Sequence, residues 1–308
     1  MENYPLISIV IPTHNRKQKL IRLINSILES DYPKDKLEII VVDDASTDGT
    51  YEEIKKMFPQ VKIIRNEKRK FVAASRNIGF KNSKGEFIFF IDDDNVIDKK
   101  CILELVKTML SLKNVGLAAP IMYYLEKPEM IWCAGVKRNM VTGKTAFLGN
   151  NQIDNGQFLY ISESDDFPNA FIVRRKIMEI ENIVFDDVNF PFIYEESDFC
   201  YRIKRKGWKI VLVPSAKIWH DVPIREHIIE TTEIKAYFLG RNRILFLKKY
   251  AKPYEFLIFI TIFLPIYIVA YVARYLWKGI KEKETAWFKC AKIYTRGVIE
   301  GLKNIRES

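Results

Sequence analysis

The sequence is poor in the residues that build disulfide frameworks and cysteine metal sites. Its 308 residues include four cysteines, which lie far apart and show no Cys-x-x-Cys spacing. This argues against a cysteine zinc site and against a disulfide scaffold, and it fits a reducing compartment. The chain also lacks low-complexity tracts and internal repeats. With 48% hydrophobic and 29% charged residues, it is typical of an ordered globular protein.

Two glycine-rich phosphate-binding motifs are absent as well. No Gly-x-x-x-x-Gly-Lys-Ser/Thr loop and no Gly-x-Gly-x-x-Gly occurs, which excludes P-loop and dinucleotide-binding folds. The segment Met1–Pro5 has neither the basic start nor the apolar core of a signal peptide. We therefore expect the catalytic part to stay in the cytosol.

The positive charge is concentrated near the C-terminus. The chain carries 49 basic and 39 acidic residues, a net charge of +10. Six basic residues and no acidic one lie between Lys235 and Lys252, and nine basic and four acidic residues lie between Arg274 and Ser308. Because the apolar run Phe256–Ala273 separates these blocks, the pattern favours anionic lipid headgroups over nucleic acid as the partner.

The apolar run has 18 residues without a charge and is interrupted by Pro265. A straight helix of this length would measure about 27 Å, barely the width of the bilayer hydrocarbon. Basic residues on both sides conflict with a single crossing. A Pro-kinked re-entrant helix or an in-plane anchor satisfies both observations, and a single span stays open.

The segment after the apolar run predicts an amphipathic helix, with apolar residues from Trp287 to Leu302 at helical spacing opposite lysine and arginine. We therefore predict attachment to the cytoplasmic face of the cell membrane through residues 256–302. The alternative is a hydrophobic helix packed on the catalytic domain or at a dimer interface, so a homo-oligomer stays open.

Strands and helices alternate in the first half of the chain. Apolar runs predict strands at Leu6–Ile11, Leu37–Val42, Val61–Ile64 and Phe87–Ile91, with helical patterns between them. This alternation predicts an α/β fold with a mostly parallel sheet covered by helices. Later strands are predicted at Val115–Ala119, Ile131–Val136, Phe158–Ile161, Lys209–Val213 and Lys217–His220, and later helices at Glu196–Lys206 and Glu226–Lys249.

Carboxylates follow two of these strands directly. Asp43 and Asp44 end the second strand, and Asp92, Asp93 and Asp94 end the fourth. Open α/β sheets bind ligands at the carboxyl ends of their strands, and adjacent carboxylates favour a cation between them. A nucleoside diphosphate held through a divalent cation fits this arrangement. The alternative is a solvated acidic turn that caps the next helix.

At this point the sequence resembles the family 2 glycosyltransferases, which have the GT-A fold. Seven stretches in the family's order carry the resemblance over about residues 5–245: Ser8–Arg16, Val41–Thr50, Ser75–Gly79, Phe90–Asp94, Glu195–Arg202, Gly207–Trp208 and Pro214–His220. The resemblance implies transfer of a sugar from a nucleotide-diphospho-sugar donor, with Mn²⁺ or Mg²⁺ as cofactor.

The resemblance also implies roles for individual residues. Asp92 and Asp94 would be the DxD pair at the metal, completed by His220. Glu196 would be the catalytic base, with Glu195 and Asp198 as alternatives, because this chain has Glu-Glu where the family usually has Glu-Asp. The residues implied in donor nucleotide binding are Pro12, Thr13, Asn15, Asp43, Asp44, Arg76, Asn77 and Asp93, with Asp44 or Asp43 reading the base.

The chemistry needs one carboxylate base and one metal-bound diphosphate, so we favour direct displacement with inversion. Residues 1–110 would bind the donor, 111–230 the acceptor within the same domain, and 231–308 the membrane. The acceptor would be a glycan or a lipid-linked saccharide. Arg241 and Arg243 could contact a phosphate of this acceptor. The alternatives are a sugar-phosphate nucleotidylyltransferase and a non-catalytic membrane-tethered scaffold.

Overall fold

The computed structural model describes residues 4–224 and 233–306. The chain divides into two units, which are formed by discontinuous segments. Unit 1 comprises Met1–Lys137, Phe147–Asp187 and Glu196–Ile224, and unit 2 comprises Arg138–Ala146, Val188–Glu195 and Arg225–Ser308. The division into 1–110, 111–230 and 231–308 stays a prediction.

The first part of unit 1 alternates strands and helices, as the apolar runs predict. Its elements in chain order are β1 (Ile7–Thr13), α1 (Lys17–Leu28), β2 (Leu37–Asp43), α2 (Thr50–Met57), β3 (Lys62–Arg65), α3 (Phe71–Lys81), β4 (Phe87–Ile91), β5 (Asn95–Ile97) and α4 (Cys101–Ser111). The short strand β5 was not predicted, because three residues are too few to form a recognisable pattern.

The remaining elements up to residue 224 are mostly short strands. They are β6 (Val115–Tyr124), β7 (Met130–Cys133), β8 (Val136–Asn139), β9 (Lys144–Phe147), β10 (Gln152–Ile153), β11 (Ser162–Glu163), β12 (Ala170–Arg174), α5 (Arg175–Ile180), α6 (Glu195–Arg205) and β13 (Lys209–His220). Strands β8 and β9 form a separate two-stranded sheet.

Two strand predictions are wrong in this region. Residues 158–161 are irregular, and Leu159 and Tyr160 are 68% and 81% exposed, so this apolar run has no neighbouring strand against which to be buried. Lys209–Val213 and Lys217–His220 form one strand, β13, rather than two. Its pairing with β6 shifts register between Val213 and Lys217, around Pro214, because proline cannot donate to the ladder and is accommodated at a bulge.

The central sheet has the order β10-β7-β6-β12-β4-β1-β2-β3. Strands β3, β2, β1 and β4 are parallel, and β12 lies antiparallel between β4 and β6. The fold prediction, a mostly parallel sheet flanked by helices, is confirmed. Since parallel strands end at the same edge, β1, β2 and β4 bring their carboxyl ends together.

An aromatic cluster fills the core beside β4. Phe90 of β4 contacts the rings of Phe171, Phe185 and Phe199 at centroid distances of 5.9, 5.0 and 6.2 Å, and Phe185 stacks on Phe199 at 4.3 Å. These residues come from β4, β12, α6 and the loop before α6. The cluster therefore fixes the segments that carry the candidate site.

Unit 2 is built mainly of helices. They are α7 (Glu233–Tyr250), α8 (Pro253–Ile258), a π-helical turn (Phe259–Phe263), α9 (Leu264–Glu282) and α10 (Thr285–Arg306). The predicted helix Glu226–Lys249 is described from Glu233 onward, and its first residues lie outside the described residues. Helices α7 and α10 pack at close range, because a Cβ on Gly297 would lie 2.2 Å from the carbonyl oxygen of Tyr237.

Pro253–Glu282 forms one apolar helix of 30 residues, long and apolar enough to cross a membrane. Pro265 follows the π-helical turn, which accommodates it within a continuous helix. Only 11% of the most apolar 18-residue window is buried. Helix α10 has the predicted amphipathic pattern, with Tyr294 and Val298 buried and Lys292 and Arg296 exposed.

The variant Gly85→Ala tests how closely the backbone just before β4 approaches β1. A Cβ at this position would lie 2.4 Å from the backbone nitrogen of Ser8, which cannot move without disturbing β1. We expect Gly85→Ala to lower the free energy of unfolding by about 3 kcal/mol, measured by urea denaturation. The control Lys84→Ala, at the exposed neighbouring position, should change it by less than about 0.5 kcal/mol. Equal stability of the two variants would contradict the close approach.

Candidate active site

The candidate site lies in unit 1, at the carboxyl edge of β1, β2 and β4. Thr13 at the end of β1 is in register with Asp43 at the end of β2. Asp92, Asp93 and Asp94 follow β4 immediately. Two sets of carboxylates that are about fifty residues apart in sequence are thus at one sheet edge, as predicted.

Asp93 and Asp94 are buried and are held by side chains that follow β1. Thr13 Oγ1 donates to Asp93 Oδ2 at 2.6 Å. Arg16 Nη1 donates to Asp93 Oδ1 at 3.0 Å and to Asp94 Oδ2 at 2.7 Å. Since the two residues are only 3% and 5% exposed, they are not part of a solvated turn. The helix-capping part of that alternative applies to Asp98, whose Oδ1 accepts from the Lys100 nitrogen at 2.8 Å at the start of α4. Arg16 was in the recognised motif but had no predicted role.

The two buried carboxyls differ in their proton affinity. Burial raises the pKa of Asp93 to about 7 against the opposing effect of Arg16. Burial acts in the same direction on Asp94, but His220 and Arg16 together hold its pKa below the usual range. Asp94 is therefore the carboxylate of this pair that stays ionised most readily.

His220 ends β13 and faces the acidic turn because β13 pairs with β5, where His220 is in register with Asn95. Its Nε2 lies 3.2 Å from Asp94 Oδ1. Apart from this contact, Asp94 Oδ1 accepts no hydrogen bond from the residues that the structure describes, and His220 Nδ1 is likewise buried without a hydrogen-bond partner among them. The structure thus brings together two of the three predicted metal ligands.

These residues fit a cation that arrives with a nucleotide. Within residues 4–224 and 233–306, no group of three or more His, Cys, Asp or Glu side chains could hold a metal alone. Mg²⁺ and similar ions commonly bind one or two carboxylates together with substrate phosphates and water rather than a complete protein cage. Asp94, with an oxygen not fully engaged by the protein, and His220 could supply such a partial ligand set.

Arg76 connects the acidic turn to the predicted base. Its side chain is fully buried, and Nη2 donates to Asp92 Oδ1 and to Glu196 Oε1, both at 2.6 Å. The guanidinium also lies over the ring of Phe185 at 5.3 Å. Helix α3, the turn after β4 and helix α6 therefore contribute one charge each to a single ionic cluster.

Asn169, which has no predicted role, completes this arrangement. Its backbone nitrogen donates to Glu196 Oε1 at 2.7 Å, and its carbonyl oxygen accepts from the Asp92 nitrogen. Its side chain exchanges two hydrogen bonds with that of Asn95. The residue adopts φ +70°, a left-handed conformation that asparagine tolerates. The only sequence signal was an asparagine between Pro168 and an apolar run.

The environment of Glu196 suits a proton acceptor. Burial raises the pKa of its carboxyl, and Asp92 acts in the same direction, while Arg76 and the Asn169 amide oppose this shift. The net effect is a pKa above the ordinary glutamate value. A base is most effective when its pKa approaches the working pH.

Asp43 and Asp44 have different surroundings. Asp44 accepts hydrogen bonds from Asn66 Nδ2 and from the backbone nitrogens of Lys70 and Phe71, at 2.7–2.8 Å, and so holds the start of α3. Asp43 Oδ1 accepts from the Ser46 nitrogen, but its Oδ2 is buried without a hydrogen-bond partner among the described residues. This oxygen forms an ion pair with Arg65, whose Nε lies 3.7 Å away. Of the two residues, Asp43 is the one with an oxygen that accepts no hydrogen bond from the described residues.

The other predicted donor residues have structural partners. Asn15 accepts from the Thr47 nitrogen at 2.7 Å and joins the loops after β1 and β2. Asn77 exchanges two hydrogen bonds with the backbone of Phe185, both at 2.9 Å. Both polar atoms of its side-chain amide are therefore engaged by the protein. Pro12 lies in β1 opposite Val42.

Asp198, an alternative base, is fully buried and accepts from Arg202 Nε at 2.8 Å, one turn along α6. The other alternative, Glu195, is a buried residue of unit 2.

The two candidates for contact with an acceptor phosphate, Arg241 and Arg243, belong to unit 2. Arg241 Nη1 donates to the carbonyl oxygen of Asn189 at 2.6 Å, and Arg243 is stacked on Tyr267 at 4.2 Å.

Comparison with known proteins shows the family of this chain. The model of the family described as glycosyl transferase family 2 matches residues 8–180, more than half of the chain. The chain belongs to this family. The matched segment contains the ends of β1, β2 and β4 and the helix that carries Arg76, and the predicted family is confirmed.

Several glycosyltransferases are similar to this chain. An uncharacterised glycosyltransferase of Haemophilus influenzae is 26% identical, over 82% of this chain and 90% of that protein. The β-1,3-glucosyltransferase WfaP of Escherichia coli is 29% identical, over 52% of this chain and 67% of WfaP. The poly(ribitol-phosphate) β-N-acetylglucosaminyltransferase TarS of Staphylococcus aureus is 34% identical over 98 residues, which span 31% of this chain but only 17% of TarS.

Solved structures of other glycosyltransferases share the fold. The mannosyltransferase PcManGT of Pyrobaculum calidifontis, in complex with GDP-Man and Mn²⁺, has a TM-score of 0.57 at 16% identity and covers 100% of this chain and 89% of that one. Residues 1–349 of S. aureus TarS, in complex with UDP-GlcNAc, have a TM-score of 0.54 at 18% identity, with coverage of 95% and 92%. The predicted GT-A fold is confirmed, and the predicted enzyme class agrees with the names of these proteins.

Arg76→Met tests the ionic cluster. The change leaves two carboxylates without their counter-charge, so we expect the free energy of unfolding to fall by about 3–5 kcal/mol. Loss of Arg76 raises the pKa of Glu196 further, and a raised native-state pKa means that stability is lost as pH rises through it. The loss should therefore be larger at pH 8 than at pH 5, as measured by urea unfolding.

The matched control is the double variant Arg76→Met/Glu196→Gln. It removes one of the carboxylates that the single variant leaves unpaired, so part of the lost stability should return at pH 8 and little at pH 5. A single variant whose stability does not depend on pH would contradict the coupling between Arg76 and Glu196.

Proposed function

We propose that this protein transfers a glycosyl group from a nucleotide-diphosphate sugar to a glycan or lipid-linked acceptor, with inversion and with the help of a divalent cation. The observation that carries the proposal is the chain of contacts from His220 through Asp94 and Arg16 to Asp93, beside the cluster of Asp92, Arg76 and Glu196. These contacts would bring the metal ligands, the donor contacts and the base of the proposed reaction together within unit 1.

The donor would lie along the carboxyl edge of the sheet. Asp43, whose Oδ2 accepts no hydrogen bond from the described residues and lies 3.7 Å from Arg65 Nε, could accept from a base N–H. Asp93, held by Thr13 and Arg16, would lie near the ribose. Asp44 and Asn77 would act indirectly, by holding the loops that form the nucleotide pocket. The relatives in complex with UDP-GlcNAc and GDP-Man support a nucleotide-sugar donor.

Asp94 and His220 would hold the cation, together with the donor's diphosphate, and Asp92 would lie beside them. When bound, the ion would neutralise charge that develops on the departing diphosphate. The Mn²⁺ in the PcManGT structure supports this part of the proposal.

Glu196 would act as the general base. It would take the proton of the acceptor hydroxyl while that oxygen forms a bond to the anomeric carbon, and the bond from this carbon to the diphosphate oxygen would break with its electron pair. One such displacement inverts the anomeric centre. Arg76 and the Asn169 amide would keep the Glu196 carboxylate oriented through Oε1.

The acceptor side of the proposal rests on unit 2 and on a relative. The name of WfaP specifies a diphosphoundecaprenol-linked acceptor, and unit 2 contains the apolar helix Pro253–Glu282. We therefore propose action at the cytoplasmic face of a membrane, with residues 256–302 as the attachment. Residues 1–110 would bind the donor and 111–230 the acceptor, while Arg241 and Arg243 remain candidates for contact with an acceptor phosphate.

A donor screen tests the function. Nucleoside diphosphate release should be measured for a panel of nucleotide sugars, with Mn²⁺ or Mg²⁺ and a membrane lipid extract as the source of acceptor. We expect at least one donor to support release that EDTA abolishes and that Asp94→Asn strongly reduces. Failure of every donor to bind would contradict the proposal, and release that is insensitive to EDTA would contradict its metal dependence alone.

Glu196→Gln tests the base. The amide keeps the size of the side chain but cannot accept the proton, so transfer should fall by about 10²–10⁴-fold while donor binding is retained. Since burial raises the pKa of Glu196, the acidic limb of the wild-type kcat/KM profile should lie above the ordinary glutamate range, with activity rising as pH rises through it.

Glu195→Gln is the matched control, because it changes the neighbouring glutamate in the same way. It should retain most of the transfer activity. If Glu196→Gln turns over like the parent, Glu195 or Asp198 becomes the candidate base.

A further inference from the structure

The apolar helix of unit 2 has two different faces over its longer part, from Ile262 onward. One face is exposed and entirely apolar, and its residues recur at helical spacing. Its larger side chains are between 40% and 71% exposed: Ile262, Ile266, Val269, Leu276, Trp277 and Ile280. We call this surface the apolar stripe. It is about 27 Å long, from the 18 rises of 1.5 Å between Ile262 and Ile280.

The opposite face is packed on the neighbouring helices through aromatic rings and cations. Tyr267 stacks under Arg243 of α7 at 4.2 Å. Tyr271 stacks on Tyr294 of α10 at 5.0 Å. Further along, the ammonium group of the buried Lys278 lies over the Trp287 ring at 4.1 Å. The helix is therefore attached to α7 and α10 over the three turns from Tyr267 to Lys278.

These neighbours are too highly charged for a bilayer core. On α10, Lys289, Lys292 and Arg296 are exposed and lie within one or two turns of the rings that contact Tyr271 and Lys278. If the apolar helix crossed a membrane, these attached helices would take exposed ammonium and guanidinium groups into hydrocarbon. Such groups are strongly disfavoured there.

From this arrangement we infer that the apolar helix lies in the plane of the membrane, with the apolar stripe immersed in one leaflet. The inference rests on the membrane attachment proposed above and specifies its geometry. A helix with one apolar face in lipid typically inserts about 5–10 Å into the boundary between headgroups and acyl chains. Basic residues outnumber acidic ones on both sides of the apolar run, by six to none between Lys235 and Lys252 and by nine to four between Arg274 and Ser308. This surplus favours an anionic lipid surface over a second copy of this chain.

The depth of the stripe tests the inference. Single cysteines introduced at Ile262, Val269 and Ile280 can be labelled with an environment-sensitive fluorophore, because the four native cysteines are buried. The labelled full-length proteins are bound to anionic vesicles that contain lipids spin-labelled near the headgroup or deep in the acyl chain. The ratio of shallow to deep quenching then reports the depth of each position.

An in-plane helix predicts the same shallow depth at all three positions. A spanning helix would place Val269 deep and the two other positions near opposite surfaces, and this result would overturn the inference but not the membrane attachment. Absence of quenching at every position, with no flotation of the protein with vesicles, would overturn both. Transfer measured in detergent remains a separate readout of the enzymatic part of the proposed function.

A pair of matched variants adds a second measurement. Val269→Glu places a charge in the middle of the stripe, whereas Ile180→Glu places one at an exposed apolar residue of unit 1, where the native side chains are 68% and 78% exposed, respectively. We expect Val269→Glu to reduce vesicle binding roughly tenfold or more, and Ile180→Glu to leave it unchanged. Equal binding by both variants would contradict immersion of the stripe.

Discussion

The structure of unit 1 depends on the charge balance around Arg76. A fully buried guanidinium is tolerated only when it is neutralised and hydrogen-bonded, and here Asp92 and Glu196 do both at 2.6 Å. The partners lie 16 and 120 residues away in the sequence. Helix α3, strand β4 and helix α6 must therefore all be in place before this charge is balanced. The same requirement brings the candidate base beside the acidic turn that would receive the donor.

A second guanidinium serves the neighbouring carboxylates. Arg16, in the turn after β1, pairs with both Asp93 and Asp94, so the acidic turn is electrostatically stabilised without a bound cation. Two arginines from separate segments thus pair with the three consecutive aspartates, Arg76 with the first and Arg16 with the other two. This division explains how three adjacent carboxylates can be accommodated at a largely buried sheet edge, where their mutual repulsion would otherwise be costly.

Sequence patterns predicted the strands well where several apolar residues are consecutive, as in Phe87–Ile91, because such runs are buried on both faces of a parallel sheet. They failed at residues 158–161, where an equally apolar run lies at the surface. They also could not distinguish Asp43 from Asp44. That distinction depends on Asn66, Lys70 and Phe71, which reach Asp44 from a separate loop. Asn169 was missed for the same reason, since its partners are Asn95 and Glu196.

The sequence alone determined the alternation of strands and helices, the carboxylates at strand ends and the apolar segment near the C-terminus. These features follow from local composition and periodicity, which are properties of neighbouring residues. Only the tertiary structure decided which carboxylate oxygens are engaged by arginine and amide groups, and which face of the apolar helix is packed. These contacts join residues that are distant in the chain, and the folding of the backbone is what brings them together.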